Sequence, residues 1–405
     1  MTFKQFFISI FFIKSIVHLC LNAININYLK KKSGIIPPEI EGSVNQEIST
    51  KSTEYNLEKM KFNFLTDLID ITLTSFFLFT PLFGYYTDYI DLIKTNHIVK
   101  GLIFFNILTI VNFIFNLPFS YYSNFFIESK YGFNKYNIKT WMIDNIKSII
   151  MQSLIISVLL ILILYMAGES VNVFKWSWVF TGWAVISFVL ILFTFLVPVI
   201  ILPFFYKLKP LKSIQLTEKI DELLLKLNFK IKGIYSVDAS IRSTHANAGF
   251  AGFGKSKKII IFDTILDGKY SDEEIMAVLA HEIGHAKKKH IQIQMILSII
   301  TLFFFITFIL YLLSYDSAYS SMGIKKNFYA GILFAGFFFE SVFYFIQPLA
   351  NLISQKFEYD ADSYSKKSLG TSFPLISSFK KFVVNDYANI NPHPLYEKFY
   401  YSHPS

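Results

Sequence analysis

The chain of 405 residues is 53% hydrophobic and 18% aromatic, with only 17% charged residues and a formal net charge of +9. Soluble domains carry about a quarter charged residues, so the composition excludes a chain that lies wholly in water. The positive balance comes from lysines in loops beside apolar runs, which fits a surface facing anionic lipid and speaks against nucleic-acid binding.

Apolar runs of about 18 residues or more are candidate membrane helices. Seven occur, at 5–25, 66–87, 99–120, 148–167, 177–204, 292–313 and 328–350. The first is interrupted by Lys14 and His18 and is followed by no small-residue cleavage site, so it does not read as a signal peptide. The "VHL" before Cys20 is no lipoprotein signal, and a single cysteine forms no intramolecular disulfide. Residues 33–56 are polar, contain Pro37–Pro38, and read as a linker or insertion. Asp67 and Asp70 open the second run at the membrane surface, and His97 is interfacial. Lys30, Lys31, Lys32, Lys51, Lys59 and Lys61 follow the first run, and Lys130, Lys135, Lys139 and Lys147 lie between the third and fourth. Loops 88–98, 168–176 and 314–327 are poor in positive charge by comparison. The positive-inside rule then places the N-terminus outside, and residues 206–290 and the C-terminus in the cytoplasm.

The segment 209–266 has soluble character. "LTEKIDELLLKL" predicts an amphipathic helix, "IKGIYSVD" a strand, and "THANAGFAGFGKSKKIIIFDTIL" two extended segments about the turn "GKSK". "SDEE" is a capping box, with Ser271 as cap and Glu274 reaching back, and it starts a helix through "IMAVLAHEIGHAKKKH". Glu340 lies midway along the seventh run; an ionisable group there lines an aqueous cavity or pairs locally with another helix. A polar tail begins near 351. The chain divides into a membrane domain, 1–205, and a catalytic domain, 206–405, that includes the last two runs.

On the 271–290 helix His281 and His285 sit one turn apart, which is the spacing that two zinc ligands need. Glu282 is offset by about 100° and can flank a metal without binding it, as a general base would. Taken alone, HExxH also arises by chance on structural helices. A catalytic metal needs a third protein ligand. Lys288 and Ile291 rule out the metzincin extension, so the third ligand comes from elsewhere. "KFEYDADSYSKKSLG" supplies Glu358 to complete a His-His-Glu set, and Asp362 one turn on can orient a ligating histidine. His290 falls off the ligand face, His393 reads as a loop residue, and His245 lies near the cleft without an assigned task.

Long colinear stretches are similar to one family. They include "LPFSYYSNFFIESKYGFNKYNIKTWMIDNIK", residues 210–266, the HEIGH helix, "KFEYDADSYSKKSLG" and the terminal "YYSHP". The chain resembles the Ste24-type CAAX prenyl proteases, the type I CAAX proteases of the M48 family. The resemblance implies an α-helical multi-pass membrane protein, with about seven transmembrane helices around an intramembrane chamber and a zincin-like α+β catalytic domain on the cytoplasmic side. It implies one Zn2+ per chain on His281, His285 and Glu358, with Glu282 as general base and Asp362 beside a ligating histidine. It further implies that Asn247 and Ala248 of "HANAGF" bind substrate, and that His403 stabilises the oxyanion. After His403 the chain departs from the family, reading "HPS" where a "PPLLERL"-like continuation is usual.

The implied activity is cleavage after the cysteine of a C-terminal CaaX sequence on prenylated proteins; some members also make a second, N-terminal cut. Two alternatives stand beside it: a membrane-protein quality-control protease without prenyl specificity, and a non-catalytic membrane protein such as a transporter. The expected partners are a peptide or protein substrate and the lipid bilayer, with the protein a monomer. Its membrane is the endoplasmic reticulum in a eukaryote, or the inner or plasma membrane in a bacterium.

Overall fold

The computed structural model describes residues 1–167, 175–252 and 257–405. The expected turn "GKSK" lies outside them except for Lys257, as does the loop 168–176 except for its last two residues. Among the described residues six helices are long and apolar enough to cross a membrane, or seven if one bent pair counts as a single span. The chain is an α-helical multi-pass membrane protein.

The membrane half runs α1 (Phe3–Lys31), α2 (Gln46–Phe79), α3 (Leu82–Asp91), α4 (His97–Tyr122), α5 (Ile138–Ala167), α6 (Trp176–Leu196) and α7 (Leu202–Phe205). Two sequence expectations are corrected here. The polar stretch 33–56 is not all linker, because Asn45 caps Ile48 N–H and α2 is helical from Gln46 onward. Asp67 lies within α2, and its Oδ2 is 2.9 Å from His18 Nε2 on α1. The second run also does not continue unbroken to 87: α2 ends at Phe79 and α3 restarts after Pro81, which has no N–H to continue the ladder.

The other half runs β1 (Leu208–Pro210), α8 (Ile214–Lys226), β2 (Gly233–Val237), β3 (Ala248–Ala251), β4 (Lys258–Phe262), α9 (Asp272–Lys287), α10 (His290–Leu313), α11 (Asp316–Met322), α12 (Phe328–Phe343), α13 (Gln347–Leu369), α14 (Phe373–Asp386) and α15 (Pro394–Tyr400). The sheet order is β1-β2-β4-β3, with β2 and β4 parallel and the outer pairs antiparallel. In β4 the buried Ile259 and Ile261 pack with Ile220 and Leu224 of α8 and Leu279 and Ile283 of α9, while Ile260 packs on the other face with Val237. This period-two alternation between two apolar layers fixes the strand register.

The predicted single span 328–350 is two helices. α12 and α13 meet at a bend of 62°. Pro348 in the first turn of α13 has no N–H to bond back into α12, so the second helix starts in a new direction. The bend lays α13 against α9, where Ser365 Oγ donates to the buried Ala277 carbonyl at 2.9 Å. Gly284 permits that approach: a Cβ there would lie 3.0 Å from Tyr364 Cβ and 3.1 Å from Ala361 Cα.

Candidate metal centre

The capping box forms as its sequence predicts. Ser271 Oγ accepts from Glu274 N–H, and Glu274 Oε2 accepts from Ser271 N–H. Ser377 and Lys381 of α14 donate to the buried Glu274 carboxylate and fix the start of α9 from a third direction. The helix anchored in this way carries His281, Glu282 and His285 into the contact with α13.

There His281, His285 and Glu358 meet, with one ligand atom of each within 4.8 Å of the others. His281 Nε2 is 3.1 Å from His285 Nε2 and 3.4 Å from Glu358 Oε2, and His285 Nε2 is 3.5 Å from Glu358 Oε1. A tetrahedral zinc with bonds of about 2.0–2.1 Å holds its ligand atoms roughly 3.3–3.4 Å apart. The two imidazole nitrogens lie close to that spacing and each has a Glu358 oxygen at a similar distance, Oε2 for His281 and Oε1 for His285, and two imidazoles with one carboxylate are ligands zinc accepts. Two nitrogen lone pairs and a carboxylate turned inwards repel one another unless a proton or cation lies among them. Burial pulls the His281 imidazole down, but hydrogen bonds to Asp362 and Glu358 outweigh it and hold the ring raised to about 9.

Asp362 stands where the sequence placed it, with Oδ1 2.8 Å from His281 Nδ1. Glu282 is half-buried beside the triad, and desolvation pushes its carboxyl up while His281 and His285 pull it back. Its Oε2 lies 3.9 Å from the position a Cβ would take on Gly249, so carboxylate and strand backbone face each other with no side chain between. Gly249 belongs to β3, an edge strand whose outer side has no strand partner among the described residues. Ala248 starts that strand, and Asn247 just before it is exposed, its carbonyl accepting from Phe262 N–H. His403 is also in the group, its Nδ1 2.9 Å from Glu358 Oε2. The tail reaches this point on α13: Asn351 and Gln355 donate to the Phe399 and Tyr401 carbonyls, and His18 Nδ1 sits 2.7 Å from Tyr400 Oη.

The other histidines have partners that the sequence did not show. His290 is not a bystander; its Nδ1 lies 2.9 Å from His285 Nδ1. Helical spacing hid it, because Lys289 breaks the periodicity with a left-handed backbone at φ 60°. His245 is held between Asp386 (3.0 Å) and Glu128 (3.5 Å) and stacks on Phe133. Burial lowers this ring, yet the two carboxylates prevail and raise it to about 9, which makes it a charged tie between the two halves of the chain. His393 lies in the loop before α15 and caps that helix, accepting from Leu395 N–H, and His97 Nε2 is 3.1 Å from the Leu164 carbonyl. Of the two readings of Glu340, the local pairing is present: Lys14 on α1 donates to it at 2.8 Å, although over half of the carboxylate stays accessible (57%).

Comparison with known proteins agrees over the whole length. Residues 25–207 match the family described as CAAX prenyl protease N-terminal, five membrane helices, and residues 210–405 match peptidase family M48. A CAAX prenyl protease 1 homolog of Oryza sativa subsp. japonica is 31% identical over 385 residues, covering 91% of this chain and 88% of the relative. CAAX prenyl protease 1 of Saccharomyces cerevisiae is 31% identical over 406 residues, covering 93% and 88%. The crystal structure of S. mikatae Ste24p superposes with a TM-score of 0.93 at 28% identity, covering 100% of this chain and 97% of that one. The chain belongs to the M48 metallopeptidase family, in its membrane-embedded CAAX prenyl protease branch.

Proposed function

We propose that this zinc metallopeptidase removes the residues after the cysteine of C-terminal CaaX sequences on prenylated proteins. The observation that carries the chemistry is the convergence of His281, His285 and Glu358, with one ligand atom of each within 4.8 Å of the others, which we assign as the ligands of one zinc per chain. The substrate class rests on relatives bearing the CAAX prenyl protease 1 name. Zinc bound there supplies Lewis acidity for peptide hydrolysis. Glu282 takes the proton of the attacking water and passes it to the leaving amine. The open edge of β3, from Asn247 and Ala248 onward, pairs with an extended substrate and aims the scissile bond at Glu282. Asp362 holds the His281 ring, and His403 donates a hydrogen bond to the oxyanion. We place the division between membrane and catalytic domains near residue 205, with the spans enclosing a chamber and the protein acting as a monomer.

The test is hydrolysis of a farnesylated CaaX peptide by the purified chain in detergent, with products identified by mass. Release of the terminal aaX tripeptide, faster than from the same peptide without its farnesyl group, is the expected result. Equal rates on both peptides, or faster cleavage of unprenylated membrane segments, would favour the quality-control reading.

The active site faces the cytoplasm in this proposal, since the lysine-rich stretch carrying α8 and α9 and the stretch carrying Glu358 must share one side. Single cysteines at the exposed Lys230 and Lys367, in a Cys20→Ser background, check it. An impermeant thiol reagent should label both only after permeabilisation. Labelling of either one in intact cells would overturn the topology.

A further inference from the structure

Each ligating imidazole has two nitrogens, and the one turned away from the metal decides which tautomer the ring adopts. For His281 that nitrogen meets the Asp362 carboxylate. For His285 it meets no carboxylate: its Nδ1 lies 2.9 Å from the Nδ1 of His290. Two ring nitrogens at this distance share one proton, so one donates and the other accepts. If the His285 Nε2 lone pair points at the zinc, the proton is on His285 Nδ1 and His290 must accept.

We infer that His290 is a positioning residue for the metal, accepting a hydrogen bond from His285 Nδ1 and so locking the tautomer that offers Nε2 to zinc. The inference rests on the zinc reading above and adds a residue to it. The surroundings suit the task. His290 is buried at 3% exposure, and its ring stacks on Phe357 at 4.2 Å between centroids and 8° between planes. Phe357 immediately precedes Glu358, so one packing unit fixes the third ligand and the ring that orients the second. The turn is built for it as well. Lys289, at φ 60° and ψ 32°, brings the first residue of α10 back beside the last turn of α9. With the His290 proton on Nε2, that nitrogen faces Asp360, 4.0 Å from its carboxylate. The two ligands are thus held asymmetrically, one by a carboxylate and one by an imidazole.

The experiment measures zinc dissociation constants by chelator competition on the full-length, detergent-solubilised chain, for the unmodified protein, His290→Leu and His290→Asn. Leucine keeps the bulk and loses the acceptor; asparagine places an amide oxygen near the position of Nδ1. Loss of such outer partners weakens metal binding by about 10–100-fold. We expect that loss in His290→Leu, with metal-free melting unchanged, and affinity within about threefold of the unmodified chain in His290→Asn. Unweakened binding by His290→Leu would overturn the inference. So would a tenfold or greater loss in His290→Asn, whatever the leucine variant does. Absence of zinc binding by the unmodified chain would instead remove the zinc reading on which the inference stands.

Discussion

Glu282→Gln should lower kcat for CaaX peptide cleavage by about 10²–10⁴-fold, the range a general base supplies, while zinc content and KM stay close to those of the unmodified chain. The substitution keeps the shape of a half-buried side chain that faces the Gly249 backbone, so the fold is not the variable. It removes only the group able to accept a proton next to the proposed metal. Steady-state kinetics with metal analysis on the same preparation separates the two properties. Activity within tenfold of normal would remove Glu282 from the proton-transfer role.

Removing a ligand should have a larger effect. Glu358→Ala takes away the one carboxylate in the triad and also strips His403 of its 2.9 Å partner. The expected result is no measurable cleavage and no stoichiometric zinc. Thermal unfolding gives a second readout: zinc at 100 times its Kd stabilises a folded protein by about 2.7 kcal/mol through mass action. Added zinc should raise the melting temperature of the metal-stripped unmodified chain and leave Glu358→Ala where it was. A variant that still gained stability from zinc would show the ion bound elsewhere.

The parts of the site that share a helix were legible in the sequence. His281, Glu282 and His285 follow from one-turn spacing, Glu358 and Asp362 from the same rule on another helix, and the start of α9 from "SDEE", because each depends only on local periodicity. The juxtaposition of α9 with α13 is a tertiary fact. It needs the bend at Pro348 and the missing side chain at Gly284, and a hydropathy run across 328–350 reports neither. His290 stayed hidden because a single left-handed residue, Lys289, resets the helical phase between it and His285. The helical half of 33–56 was missed because the polar start of α2 has too little apolar character to register, although Asn45 caps it and it folds as one helix with the rest. The neighbourhood of His403 and Glu358 came from likeness to the family alone, since nothing in "YYSHPS" encodes the hydrogen bonds by which α13 holds the tail.

The central claim is that one zinc sits among His281, His285 and Glu358. Diffraction from crystals of the full-length chain, collected on both sides of the zinc absorption edge, tests it most directly. A single strong anomalous peak is expected about 2.0–2.2 Å from His281 Nε2, His285 Nε2 and a Glu358 carboxylate oxygen, present in Glu282→Gln and absent in Glu358→Ala. A peak elsewhere in the chain, or none in a catalytically active preparation, would contradict it.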